Sequence, residues 1–246
     1  MALSNPTDTD QPEEATTEAP GPGGRTPRER FDALAQSIKD LILDKYRDWN
    51  VAHIDWWDGV YDCFKSEMEE LGIEVDRMYF SGFWSQGDGA CFEGGVSDWS
   101  KFLPSLGKTC PALIKNAEHN GWKFHVTHSG HYYHEHCTDF SETYYLNHPD
   151  NSDASDDDDW LRWCSPYKTD IQNAAFLTML RQHNIDDLHA EFVEAFKDHM
   201  RELYSQLEQE YDYLTSDEAI LDSLEANDMI EDVINDAITE EEEEYA

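Results

Sequence analysis

The sequence predicts an α+β protein: an antiparallel sheet of two β-hairpins packed against several amphipathic helices, between acidic termini that we expect to be disordered. Two segments, 73–96 and 122–145, alternate apolar and polar side chains around glycine-containing turns, as β-hairpins do. Other segments repeat apolar side chains every three or four positions, the spacing of amphipathic helices. These segments are 28–48, 55–71, 100–119 and 187–214.

The composition supports one domain of ordinary size. Of the 246 residues, 39% are hydrophobic and 13% are aromatic, enough to form a core. We predict a disordered tail over residues 1–27, a single α+β domain over 28–230 with an acidic loop at 147–160, and an acidic tail over 231–246. No apolar run approaches the roughly eighteen residues that span a bilayer. The N-terminal segment lacks the basic start and apolar stretch of a signal peptide. We therefore expect a cytoplasmic protein.

Several helix ends are marked by local signals. Asp55 is a candidate N-cap for the second helix, and Gly72 stands where a helix ends in the left-handed conformation. Pro104 suits the first turn of the third helix. A further helix is predicted near 169–182.

The longest apolar stripe runs from Asp187 to Leu214 and predicts the longest helix. The capping-box sequence from Thr215 to Glu218 then starts a new helix. Beyond Asn227 the apolar spacing continues only weakly before the run of glutamates.

The net charge of −37 argues against some partners and favours others. Residues 202–246 contain seventeen acidic side chains and no Lys or Arg. Such a field repels nucleic-acid phosphates and anionic lipids, so we expect no direct contact with nucleic acid or membrane. A basic partner protein would suit the charge. Adaptation to a very salty cytoplasm is the alternative, because salt screens the repulsion between carboxylates.

The five cysteines are widely spaced, odd in number and without a CxxC pair. This pattern favours reduced, mostly buried thiols over a disulfide framework or a cysteine-rich zinc site.

The second hairpin contains a cluster of histidines. If Ser129-Gly130 is a two-residue turn, His125 faces His134, and His125, His134 and His136 share the solvent-facing side of the sheet. Directly opposed side chains lie about 5 Å apart, and imidazoles at that distance can hold zinc, with water or a glutamate as a further ligand. Zinc is the one cofactor that we consider. The alternative is a solvated strand face that is rich in histidine.

The same register places Phe124, Val126, Tyr133 and Cys137 on the opposite face, which we assign to the core.

The first hairpin contains the motif FSGFWSQGDGACFEGG over 80–95. We expect Asp88-Gly89 in its turn, and we predict a binding site at the tip, formed by Trp84, Ser85, Gln86, Gly87 and Asp88. A glycine-rich loop can direct N–H groups at an anion. However, the motif has no lysine and a strand follows it, so it is not a P-loop.

Ser85 or Cys91 is a candidate nucleophile, with a hairpin histidine as its base. The alternative is a structural turn that requires glycine.

Three segments resemble a family of proteins from tailed phages and prophages. These are FSGFWSQGDGACFEG (80–94), VTHSGHYYHEHCTD (126–139) and LYSQLEQEYDYLTSDEAILDSLEAND (203–228), and the resemblance spans roughly residues 54–230. Members of that family are often labelled "antitoxin of toxin–antitoxin stability system", and the resemblance implies no catalytic residues. The polar N-terminus, the acidic insertion at 150–159 and the extreme acidity depart from the family, and they suggest a virus or provirus of a halophile.

The leading hypothesis is therefore a viral or prophage accessory protein that binds a host or viral protein through an acidic surface. The lack of a complete catalytic motif favours this non-enzymatic function. A sharper form is a DNA mimic with the carboxylates of 202–246 at phosphate-like spacing. The alternative is a metal-dependent, hydrolase-like enzyme that uses His125, His134, His136 and the 85–88 loop.

Overall fold

The computed structural model describes residues 25–52, 55–119, 122–143 and 185–244. The α+β prediction is confirmed, because these residues form eight α-helices and one four-stranded antiparallel sheet. The chain divides into two compact units where one domain was predicted. Of the described residues, the central unit contains those from 48 to 219, and the terminal unit contains those from 25 to 47 and from 220 to 244.

The sheet of the central unit follows the order of the chain. Its strands are β1 (Ile73–Phe80), β2 (Ala90–Val96), β3 (Lys123–His128) and β4 (Thr138–Thr143), and each is antiparallel to the next. Both predicted hairpins are therefore present. A bulge between Val75 and Arg77 shifts the register of β1 against β2.

The turns of both hairpins differ from the prediction. Each hairpin is closed by a nine-residue loop, 81–89 in the first and 129–137 in the second. In the first loop Gly82 and Gly87 have positive φ, whereas Asp88 and Gly89 do not. In the second hairpin His128 pairs with Thr138, so the predicted two-residue turn at Ser129-Gly130 was wrong.

Four helices of the central unit lie wholly within it: α3 (Asp58–Glu70), α4 (Trp99–Ser105), α5 (Pro111–His119) and α6 (Ile185–Leu214). The core is rich in phenylalanine. The Phe196 ring of α6 lies 5.2 Å from Phe124 and 5.7 Å from Phe92, which in turn lies 5.7 Å from Phe64 of α3. Phe124 and Val126 are buried as predicted, while Tyr133 and Cys137 are half-buried.

The helix predicted over 100–119 is two helices. After α4, Gly107 adopts a φ of 73°, and the Lys108 N–H donates to the Leu103 carbonyl at 2.8 Å. This bond is the Schellman closure of a helix C-terminus. Pro111 then opens α5, where its missing N–H costs nothing.

The end of α3 agrees with the prediction, but its start does not. Gly72 has a φ of 80° after the last turn, as expected. The helix begins at Asp58 and has no side-chain cap, so the assignment of Asp55 as N-cap was wrong.

The terminal unit is helical in its described part. Its helices are α1 (Pro27–Asp32), α2 (Gln36–Lys45), α7 (Asp217–Ala226), which enters this unit at Ile220, and α8 (Ile230–Glu244). The tail predicted over 231–246 was wrong as far as Glu244, because one face of α8 is buried. That face presents Ile230, Val233, Ile234 and Ala237, and it packs against Phe31, Ile42 and Leu43.

The acidic helices of this unit are paired with its basic residues. Arg28 contacts Asp222 at 3.1 Å, Lys45 contacts Glu240 at 2.6 Å, and Arg30 contacts Glu231.

The capping signal before α7 is shifted by one residue. The Ser216 hydroxyl accepts from the Ala219 N–H at 3.3 Å, and the Thr215 hydroxyl donates back to the Tyr211 carbonyl.

The predicted tail lies outside the described residues up to position 24, and α1 begins at its last residue, Pro27. The predicted loop at 147–160 and helix near 169–182 also lie outside them. Among the described helices, none has the length and apolar character needed to cross a bilayer.

Candidate functional site

The 81–89 and 129–137 loops lie side by side at one end of the sheet. Strands that follow one another in an antiparallel sheet place their first and third connections at the same end. The two loops are in close contact. A Cβ atom at Gly87 would meet the Tyr132 ring at 2.3 Å, and one at Gly89 would meet the Tyr133 carbonyl oxygen at 2.5 Å. The two sequence-predicted sites are therefore neighbours.

The 81–89 loop is held by its own polar groups. The Ser85 N–H donates to the Asp88 carboxylate at 2.6 Å. At the neck of the loop, the Ser81 N–H donates to the Gly89 carbonyl, and the Gly89 N–H donates to the Ser81 hydroxyl, each at 3.2 Å. These bonds fix the loop in one shape and hold Asp88 at the tip.

Trp84 projects from this loop into solvent. Its side chain is 76% exposed, the largest fraction among the exposed large hydrophobic residues of the described chain. Its ring makes edge contacts with Phe83 at 5.7 Å and with Tyr211 of α6 at 5.2 Å. The indole is therefore both open to solvent and held in place.

Phe83 anchors the loop beneath Trp84. Its ring lies 4.9 Å from Phe80, 5.2 Å from Tyr211, 5.5 Å from Tyr204 and 6.2 Å from Trp56. Phe83 therefore packs inward, whereas Trp84 faces outward.

Carboxylates surround this aromatic cluster. Burial raises the pKa of Tyr204, and the charges of Glu208 and Asp88 raise it further. Burial likewise raises the pKa of Tyr211, with further contributions from Asp48 and Asp212. The surface around Trp84 is therefore aromatic and negatively charged.

The 129–137 loop contains the second group of predicted site residues. His134 and His136 flank Glu135 around a short 3-10 turn, and one ligand atom from each of the three lies within 4.8 Å of the others. The two imidazole rings stack at 4.7 Å. The His136 N–H donates to His134 Nδ1 at 3.2 Å, which orients the His134 ring.

His125 does not join this pair. It pairs with Ser141 in β4 and with Gly95 in β2, whereas His134 lies against Gly89. Gly95 and Gly89 are six residues apart, which corresponds to about 20 Å along an extended strand. The three histidines were grouped by the wrong register, and the structure brings together only His134 and His136.

Cys91 is unsuited to nucleophilic attack. Its side chain is fully buried, and burial raises its pKa to about 12, with Cys137 and Glu93 contributing in the same direction. The expectation of mostly buried thiols holds for Cys91 alone among the described cysteines. Cys63 is exposed, and Cys110 and Cys137 are half-buried.

Sequence reasoning missed the part that α6 plays at this site. Arg201 Nε donates to Glu135 Oε2 at 2.8 Å, and Arg201 also pairs with Glu194 and Asp198. Hydrogen bonds to Glu194 and Glu135 raise the pKa of Arg201 above its ordinary value. Nothing in the local sequence links Glu135 to a helix that begins fifty residues later.

A second polar cluster lies at the opposite end of the sheet. Glu142 accepts from the Trp122 indole at 2.5 Å and pairs with His189 Nδ1 at 2.7 Å. Next to Trp122 is an open cleft of about 370 Å³, lined in part by Asp98 and Glu118. The predicted site residues lie at the other end of the sheet and do not line this cleft.

Comparison with known proteins gave one match. A family model described as a domain of unknown function, DUF8835, matches residues 56–217, about two thirds of the chain. The match includes all four strands and both loops. No curated protein and no solved structure matches the chain.

Proposed function

We propose that this chain, which belongs to the DUF8835 family, binds a basic segment of a host or viral protein. The binding surface is the 81–89 loop together with the face of α6 that presents Tyr204 and Tyr211 to it. The observation that carries the proposal is the 76% exposure of Trp84 in an aromatic cluster whose other rings are half-buried.

An exposed but immobilised tryptophan is suited to anchoring a partner. Tryptophan is among the residues that contribute most to protein interfaces when a partner buries it. Because Phe83 and Tyr211 already restrict the Trp84 ring, binding would cost little side-chain entropy.

The charge around Trp84 selects the chemistry of the partner. Asp88, Glu208 and Asp212 lie around the cluster, within a chain of net charge −37. A lysine or arginine side chain can stack on the indole face and pair with a neighbouring carboxylate at the same time. In strong salt the ion pairs are screened, so the aromatic contact would provide most of the affinity.

The acidic terminal unit is less suited to this role. Three of its carboxylates, on Asp222, Glu231 and Glu240, are already paired with basic residues of the same unit. A DNA mimic built on residues 202–246 would need these groups for its partner, so we place the binding surface at Trp84. The resemblance to prophage proteins supports a host or viral protein as that partner, and a cytoplasmic location follows from the same proposal.

Site-specific photo-cross-linking tests the proposal. A photoreactive phenylalanine analogue is placed at position 84 in the full chain, and the protein is exposed to host lysate at native salt. The matched control carries the same group at Tyr213, which is 61% exposed on α6. We expect a discrete basic protein to be cross-linked from position 84 and not from position 213.

Affinity measurements then separate specific binding from adventitious capture. Trp84→Ala should weaken binding of the captured protein at least about tenfold, as expected for a central aromatic residue. Tyr213→Ala should leave the affinity unchanged. Cross-linking that is the same from both positions, or a Trp84→Ala variant that binds as well as wild type, contradicts the proposal.

A metal-dependent hydrolase is the weaker candidate. The cluster of His134, Glu135 and His136 favours it. Of the two nucleophiles predicted from the sequence, Cys91 is excluded by its burial and raised pKa, which leaves Ser85. Asp88 accepts a hydrogen bond from the backbone N–H of Ser85 and not from its hydroxyl.

A further inference from the structure

We infer that His134, Glu135 and His136 form a binding site for a divalent transition-metal ion of the zinc class, in which Arg201 orients the carboxylate of Glu135. This inference does not depend on the proposed partner. It replaces the ligand set of three histidines predicted from the sequence with two histidines and the glutamate between them.

The spacing of the ligand atoms is close to what a metal needs. Glu135 Oε1 lies 3.7 Å from His136 Nε2, and the three ligand atoms fall within 4.8 Å of one another. Ligands about 2 Å from a tetrahedral ion lie roughly 3.3 Å apart. Small side-chain rotations would therefore bring the three atoms to coordinating distance without movement of the backbone.

Glu135 is held in the manner of a metal-ligating carboxylate. Its side chain is only 11% exposed, and Arg201 occupies Oε2 at 2.8 Å while Oε1 is turned towards His136. In metal sites, a ligating carboxylate is commonly hydrogen-bonded through its second oxygen by an outer partner. Arg201 is itself fixed by Glu194 at 2.9 Å and by Asp198.

The local charge favours a dication. Glu135, Glu194 and Asp198 place three negative charges around the single positive charge of Arg201. Neutral imidazoles add none, so the cluster has an excess of two negative charges. A divalent ion would balance this excess, and the adjacent guanidinium would not repel it strongly because its own charge is already offset.

The donor set selects the class of metal. Two imidazoles and one carboxylate suit zinc and neighbouring transition metals, whereas magnesium and calcium prefer oxygen ligands alone. Three protein ligands leave a further position for water or for a group of another molecule. The hydrogen bond from the His136 backbone N–H to His134 Nδ1 would be exchanged for coordination, which lowers the affinity roughly fivefold.

Titration of the full chain with zinc tests the site. The measurement is competition with a chromophoric chelator in strong potassium chloride, so that the acidic surface does not attract ions non-specifically. We expect one saturable site per chain. His136→Ala should weaken binding at least about tenfold, and because His136 is 71% exposed this change should leave the fold intact, as checked by circular dichroism.

Two histidine variants serve as matched controls. His131→Ala alters an exposed histidine of the same loop that is outside the cluster, and His125→Ala alters the ligand predicted from the wrong register. Both should bind zinc as wild type does. Absence of saturable binding, an unaffected His136→Ala variant, or equal loss in the control variants overturns the inference. An excess of magnesium should not displace the zinc, and displacement would also overturn it.

Discussion

Tyr132 lies directly against Gly87, so that a Cβ atom at position 87 would meet Tyr132 Cδ1 at 2.3 Å and Cγ at 3.0 Å. Gly87 also has a φ of 96°, a conformation that costs other residues free energy. Together with the contact of Gly89 against Tyr133, this contact joins the loop that presents Trp84 to the loop that contains His134. The shape of the whole candidate site therefore depends on the absence of a side chain at position 87.

Gly87→Ala should lower the free energy of unfolding by about 2 kcal/mol, because it adds a clash with the ring to the cost of a positive φ. Gly107→Ala is the control, since Gly107 has a φ of 73° but no atom within 4 Å of a Cβ. The free energy of unfolding of this control should fall by only the cost of the positive φ, about 1 kcal/mol. Urea denaturation of both variants measures the difference. Equal losses would mean that the Tyr132 contact does not matter.

Ile234→Ala tests whether the acidic C-terminal segment is a helix with a buried face. Ile234 is 1% exposed, so the change should destabilise the terminal unit by about 3 kcal/mol. Amide hydrogen exchange over 230–244 should then quicken by about a hundredfold. Asp236→Ala on the exposed face is the control and should change protection little. A flexible tail would instead give fast exchange in every variant.

His199 should make the central unit less stable in mild acid. Burial lowers the pKa of His199, although the charges of Asp198, Glu202 and Glu67 oppose this. Between its lowered folded pKa and its ordinary value of about 6.5, the unfolded chain binds the proton and the folded chain does not. The contribution of the neutral His199 to stability is therefore fully present above a pH of about 6.5. It is lost progressively as the pH falls from there through the lowered folded pKa.

The measurement is urea denaturation over a series of pH values for wild type and His199→Gln. The variant cannot take up this proton, so its stability should fall less steeply across the same interval. Identical pH dependence in the two proteins would contradict the role of His199.

The cysteines should differ widely in reactivity. Cys63 is exposed on α3, whereas burial raises the pKa of Cys91 to about 12. At neutral pH the thiolate of Cys91 is then about a thousandfold scarcer than that of an ordinary cysteine. Iodoacetamide should label Cys63 quickly and Cys91 only after unfolding in urea, as followed by peptide mass spectrometry. Comparable labelling rates in the folded protein would contradict the burial of Cys91.

The elements that could be predicted are those specified by neighbouring residues. The apolar stripe of α6, the two hairpins and the left-handed Gly72 all follow from spacings of a few residues. The break between α4 and α5 was equally local, since Gly107 and Pro111 signal it, and it was missed because the apolar spacing continues across them.

The second hairpin shows where local reasoning stops. The alternation of HYYHEH continues that of β3, so a two-residue turn and a nine-residue loop are both compatible with the sequence. The observed register places Val126 opposite Phe140, which packs near the Phe124 and Phe196 rings. The half-buried Phe140 ring reaches Phe124 and Phe196 only in the register with the longer loop, and this register separates His125 from His134 and His136.

By itself, the amino-acid order determined the α+β class, the acidity, the two hairpins and the amphipathic helices, because each depends on periodicity and composition within one segment. Only the tertiary structure decided that Trp84 stands exposed beside Tyr211, that Glu135 faces Arg201, and that the last glutamates belong to a packed helix. These relationships join residues far apart in the chain. They depend on how the apolar faces of separate elements are buried together, which no single segment specifies.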